Sequence, residues 1–187
     1  MKNIIANNCV GARIYQIKGE AYNTPFVWCL VSPEDFLYLY ENFNIINFKN
    51  IRIEKDGEWY FIRVDDKIKI YYPHYRYDEN CNIPAKRGIG ELNIYYCNIE
   101  DYIMEKYKNR LSRMTEEPLF IIDDKSTNLV DGKCVFKDSD IQKYVDKKNC
   151  IITTSNKKIR GKNVIYKTNP DMTTGAIAKI ILKKTDI

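Results

Sequence analysis

Apolar positions along the chain switch repeatedly between a period of two and a period near 3.6. Asn3 to Ala6 predicts a short apolar strand, Asn7 to Gly11 a polar loop, and Ala12 to Lys18 a short helix stopped by Gly19. The continuous run Phe26 to Val31 predicts a buried strand. Ser32-Pro33-Glu34-Asp35 is a helix start: a hydroxyl to cap, proline at the first helical position, and acids at the positive end of the dipole. Phe36, Leu39, Tyr40 and Phe43 then make one apolar face. Asn50 to Glu54, Trp59 to Val64 and Lys67 to Tyr72 predict a hairpin or three-strand meander turning at Asp56-Gly57 and Asp65-Asp66.

Pro73 to Gly90 has no clear period and predicts an irregular loop, and Leu92 to Cys97 predicts another strand. The longest helix starts at Asn98, carries the stripe Met104, Tyr107, Leu111 and Met114, and stops at Pro118. Leu119 to Ile122 is a strand ending in Asp123-Asp124, and Asp138 or Ser139 caps a helix with Ile141, Tyr144 and Val145 inward. Strands follow at Cys150 to Thr153 and Asn163 to Lys167, then a helix capped by Thr173 or Thr174. Strand and helix alternate at both ends with a meander between. The expectation is one α/β domain over residues 1–187: a mostly parallel, helix-covered open sheet with a central antiparallel hairpin or meander.

Composition narrows the function classes. At 44% hydrophobic and 29% charged residues the chain is globular. Its single histidine excludes multi-histidine metal sites. The six cysteines form no CxxC pair, which excludes zinc ribbons and thioredoxin-like motifs, and they are expected to be thiols in a cytoplasmic protein. The longest apolar run is far too short for a membrane span, so no transmembrane segment is expected. From Gln142 to Ile187 eleven Lys and Arg face three Asp and Glu, a net charge of +8. No nucleic-acid module motif accompanies that charge, so it is read as a solvated face and nucleic acid is not expected as a partner.

In open α/β sheets ligands bind beyond the carboxyl ends of the strands. That rule selects Asn7-Asn8-Cys9-Val10-Gly11, Ser32-Pro33-Glu34-Asp35, Asp123-Asp124-Lys125-Ser126 and Thr153-Thr154-Ser155-Asn156. Cys9 stands before a helix, where a thiol can have a lowered pKa and act as nucleophile. Asn7 and Asn8 offer amide donors to an oxyanion or a sugar hydroxyl. Their plainer reading is a turn with a small buried cysteine. Asp123 and Asp124 can serve as general acid or base, or as a turn and helix cap; two acids alone supply too few oxygens for a metal, and none is assigned. Gly88-Ile89-Gly90 lacks the context of a dinucleotide loop, and no cofactor is assigned.

Ile4-Ile5-Ala6-Asn7-Asn8-Cys9-Val10-Gly11, then Tyr15, Tyr22-Asn23-Thr24-Pro25 and Ser32-Pro33-Glu34-Asp35-Phe36, resemble the opening of a bacterial family called domain of unknown function nineteen-nineteen. Some of its members are labelled exopolysaccharide biosynthesis proteins. Glu105-Lys106-Tyr107 with Arg110 and Arg113 resembles the family's basic helix; Phe120 to Asp124 and Ile151 to Thr154 resemble its later strands. Where the family often has two histidines before that helix, this chain reads Ile94-Tyr95-Tyr96-Cys97-Asn98-Ile99. The resemblance implies an α/β fold and a loose association with surface polysaccharides.

The resulting expectation is an enzyme, a transferase acting on activated sugars or glycans. Cys9 and Asp123 are its catalytic candidates; Asn7, Asn8, Tyr15, Arg110, Arg113, Asp124 and Thr153 are its substrate contacts, the arginines holding phosphate. The alternative is a non-catalytic module that binds carbohydrate or nucleotide sugar in the same cleft. Oligomeric state has no signature in the sequence. The loops after Ala6, Ile122 and Ile152 are expected to converge, because the carboxyl ends of parallel strands open on one edge.

Overall fold

A computed structural model describes residues 2–57, 59–76, 99–115, 117–125, 127–129 and 132–187. The elements run β1 (Ile4–Ala6), α1 (Val10–Lys18), β2 (Leu30–Val31), α2 (Pro33–Asn42), a 3-10 turn (Phe43–Ile45), β3 (Ile51–Asp56), β4 (Trp59–Val64) and β5 (Ile68–Arg76). They continue with α3 (Ile99–Leu111), β6 (Leu119–Asp123), β7 (Thr127–Leu129), β8 (Gly132–Cys134), α4 (Asp138–Gln142), β9 (Cys150–Thr154), β10 (Val164–Tyr166) and α5 (Thr174–Lys184).

β1, β6, β9 and β10 form a parallel sheet in the order β1-β6-β9-β10. A strand's side chains alternate between faces, and here both faces are apolar. Ile5, Phe120, Ile122, Cys150 and Ile152 point into one core with α2 and α3. Ile4, Ala6, Leu119, Ile121, Ile151 and Ile165 point into the other, with α1 and α5. Gly11 lets α1 press onto β1: a Cβ there would stand 3.3 Å from Ala6 Cβ and from Ile4 Cγ2.

The second sheet is antiparallel, in the order β2-β5-β4-β3, and its Tyr60, Ile62, Val64, Ile68, Ile70 and Tyr72 close the first core from the opposite side. The turn at Asp65-Asp66 has both residues left-handed (φ 52° and 56°), closed by the Lys67 N–H donating to Val64 O, the geometry that suits the twist of a hairpin.

Three expectations need correction. Phe26–Val31 is not one strand: only Leu30–Val31 pairs, and it pairs with β5 in the antiparallel sheet. Phe26, Val27 and Cys29 are buried as loop residues, so the apolar run marks burial without marking a strand. α1 begins at Val10, not Ala12, which makes Cys9 its N-cap. The deepest residues of α3 are Ile103, Tyr107 and Arg110, while Met104, Leu111 and Met114 are half-buried. The expected strand at Leu92–Cys97 and the loop beyond Arg76 lie outside the described residues, as does the side chain of His74.

Candidate functional site at the carboxyl edge of the parallel sheet

β1, β6 and β9 end side by side, so Asn7, Asp123 and Thr153 come together although far apart in sequence. Asn7 acts as an extra rung: its Nδ2 donates to Asp123 O at 3.1 Å, and the Asp123 N–H donates to its Oδ1 at 2.8 Å. Asn8 Nδ2 donates to Asp123 Oδ2 at 2.8 Å, and Asn8 Oδ1 accepts the Val10 N–H at 3.0 Å, satisfying one of the open donors at the start of α1. Thr153 Oγ1 donates to Asp123 Oδ1 at 2.9 Å.

The cation in this cluster is Lys167, just past β10. Its Nζ donates to Asp123 Oδ1 at 2.8 Å and also pairs with Asp124 Oδ1. Lys167 is 3% exposed and Asp123 0%. Burial alone pushes the Lys167 ammonium down; the Asp123 charge and the hydrogen bonds to Asp123 and Asp124 outweigh it and hold its pKa above the ordinary lysine value. Asp124 Oδ2 accepts from the Thr154 hydroxyl and from the Ser155 N–H, and its side chain retains some exposure. Sequence reading selected the segment that holds Thr154 but missed Lys167. Period two did carry a signal for the lysine: Ile165 faces the α1/α5 core, so Lys167 falls on the same buried face.

Cys9 is partly exposed at the N-cap, and burial raises its thiol to about 11, with the Arg13 charge opposing weakly. This corrects the expectation of a lowered pKa: the helix start is there, but desolvation of the thiol outweighs it.

Three expected contacts make no bond to this cluster. The Tyr15 hydroxyl accepts the Ile4 N–H at 3.0 Å and bonds Asn23 Oδ1, which places it at the amino end of β1, the opposite edge; burial raises its pKa to about 12. Arg110 donates to Val27 O, and Arg113 Nη1 to Tyr22 O at 2.9 Å, so both arginines meet the loop between α1 and β2. Among the described residues no three His, Cys, Asp or Glu side chains gather as metal ligands, and no helix is long and apolar enough to cross a membrane.

Asn7, Asn8 and the loop up to Ser32 fall in a stretch that a family model matches. Residues 2–87 match the family model Domain of unknown function (DUF1919). The resemblance to that family covers β1 to β5; Arg110, Asp123, Thr153 and Lys167 lie beyond the matched stretch. An "Uncharacterized protein" of Haemophilus influenzae (strain ATCC 51907 / DSM 11121 / KW20 / Rd) is 26% identical over 119 residues, 64% of this chain and 47% of that protein. The chain thus spans about half the length of the curated relative it matches.

Proposed function

We propose that the chain binds a sugar, activated sugar or glycan at the carboxyl edge of its parallel sheet, and that it works as a binding module without thiol catalysis. The observation that carries this reading is the condition of the two catalytic candidates. Asp123 is out of solvent and accepts from Asn8, Thr153 and Lys167, which leaves it poorly placed to exchange a proton with a ligand. Cys9, with a thiol near 11, is almost wholly protonated at neutral pH and makes a poor nucleophile. The polar groups that remain at the edge suit hydroxyl recognition, with Asp124 as acceptor.

The second reading is a transferase of polysaccharide biosynthesis, favoured by one observation. Asp124 is held by Thr154, Ser155 and Lys167 yet reaches solvent, the position of a base for an attacking hydroxyl. A cytoplasmic setting belongs to the same proposal, supported by Cys9, Cys29 and Cys150 standing as thiols.

Titration calorimetry with nucleoside-diphosphate sugars and neutral oligosaccharides tests the binding reading. The expected result is saturable binding that Cys9→Ser retains and Asp124→Asn weakens. Absence of binding to the whole panel would overturn it. Turnover of a donor and acceptor pair, abolished by Asp124→Asn, would promote the transferase reading.

A further inference from the structure

A buried guanidinium ordinarily finds a carboxylate, because an unpaired charge out of water is costly. Arg110 departs from this. It is 7% exposed, and its only acceptor among the described residues is Val27 O, at 3.5 Å from Nη1. Its guanidinium carbon lies 5.3 Å from the centre of the Tyr22 ring. Among the described residues no carboxylate pairs with it, and its Nε and Nη2 donors have no acceptor. No buried side-chain nitrogen or oxygen among the described residues lacks a partner, so those two donors must reach solvent. The result is a charge mostly withdrawn from water, with two donors that touch solvent.

Its surroundings repeat the pattern. Tyr22 OH accepts the Trp28 indole N–H at 2.9 Å, which ties the two half-buried side chains together. Arg13 stacks on the far ring, 4.8 Å from the centre of Trp28, and Arg113 holds Tyr22 O. Among the described residues Arg13 and Arg113 bond only Gln16 Oε1 and main-chain carbonyls, and no described acid neutralises any of the three arginines. Trp28 itself is left-handed (φ 56°), a conformation a bulky residue adopts only when its surroundings impose it. Arginine forks with aromatic planes are the chemistry of oxyanion and sugar-ring recognition.

We propose that Arg110, with Arg13, Arg113 and the rings of Tyr22 and Trp28, forms a subsite for the oxyanion of a sugar ligand, a phosphate or a carboxylate. Arg110 takes the oxyanion through Nε and Nη2, and the ring pair carries the sugar. The oxyanion part stands on the arginine geometry alone; the sugar part rests on the reading of the carboxyl edge given above.

Calorimetry on the intact chain at low ionic strength tests it, with inorganic phosphate, glucose 1-phosphate, glucuronate and glucose as probes. The expected result is saturable binding of glucose 1-phosphate or glucuronate, weakened about tenfold to a hundredfold by Arg110→Met. The tighter of those two ligands identifies the source of the oxyanion. A folded Arg110→Met that binds both as the native chain does, or a native chain that binds neither at millimolar concentration, overturns the proposal. If Arg110→Met does not fold, the double variant Arg13→Gln/Arg113→Gln, at two exposed positions, takes its place; unchanged affinity overturns the proposal there too. Arg110-dependent binding of phosphate that the sugar does not improve supports the oxyanion subsite and removes the sugar reading.

Discussion

The two sheets handle charge in opposite ways. At the carboxyl edge of the parallel sheet, Asp123 and Lys167 are buried, and every oxygen of the Asp123 carboxylate is spoken for by Asn8, Thr153 or Lys167. On the antiparallel sheet the paired charges keep contact with solvent: Arg52 and Arg63 share Glu54, Arg52 also reaches Asp66, and Lys69 reaches Asp56. Water screens the second group and cannot screen the first. The same residue types therefore carry different energetic weight. Losing one buried partner strands a charge, whereas losing one surface partner returns the other to solvent.

Lys167→Met tests this contrast most severely. It leaves Asp123 and Asp124 facing each other without their cation, and a loss of about 3–5 kcal/mol is expected in urea unfolding. The double variant Lys167→Met/Asp123→Asn should lose less than the single one. A cost as small as that of a surface pair would erase the distinction between the two sheets.

Gly161→Ala follows. In the connection between β9 and β10, the new Cβ would fall 2.4 Å from Val145 Cβ and 2.8 Å from Val145 O, and overpacking of about 1–3 kcal/mol should lower the thermal midpoint. An unchanged midpoint would mean that this side of the parallel sheet gives way more easily than its packing implies.

On the antiparallel side, Ser32→Ala removes the oxygen that accepts the Asp35 N–H at 3.1 Å. It should cost about 1 kcal/mol, and Ser32→Thr should restore most of it. Asp35 also accepts the Lys69 N–H at 3.3 Å, so a larger loss would show that the cap couples α2 to β5.

The smallest effect is expected at Arg63→Gln, about 0–1 kcal/mol and shrinking with salt. The Glu54 carboxyl is held down to about 2 by hydrogen bonds from Arg63 and then Arg52. A depressed carboxyl stabilises the fold above its unfolded pKa, and that contribution fades as pH falls from the ordinary glutamate range toward 2. Chemical denaturation between pH 5 and pH 2 should show a shallower acid decline for Arg63→Gln than for the native chain. Identical acid profiles would remove Glu54 from the account.

Much of this molecule is local and therefore legible along the chain. The Ser32-Pro33 helix start, the Asp65-Asp66 turn, and the alternation of Phe120 and Ile122 against Leu119 and Ile121 all follow from steric rules acting over a few residues. The convergence of Asn7, Asn8, Asp123 and Thr153 was also within reach, because parallel strands have only one carboxyl edge. The rest depends on partners distant in sequence. Phe26, Val27 and Cys29 are apolar because they are buried, and apolarity alone could not say that their backbone stays out of the sheet. Tyr15 sits on a helix that runs back along β1, so the opposite edge claimed its hydroxyl. The Cys9 pKa depends on how much protein surrounds the sulfur, a quantity set by packing. Lys167 is one of many lysines in a basic stretch, and only the closing of β10 against β9 carries it to two aspartates and out of water. Sequence determined most of the elements and the edge at which the parallel strands meet; tertiary structure decided which charges were buried there, because desolvation is a property of the assembled interior and of no single segment.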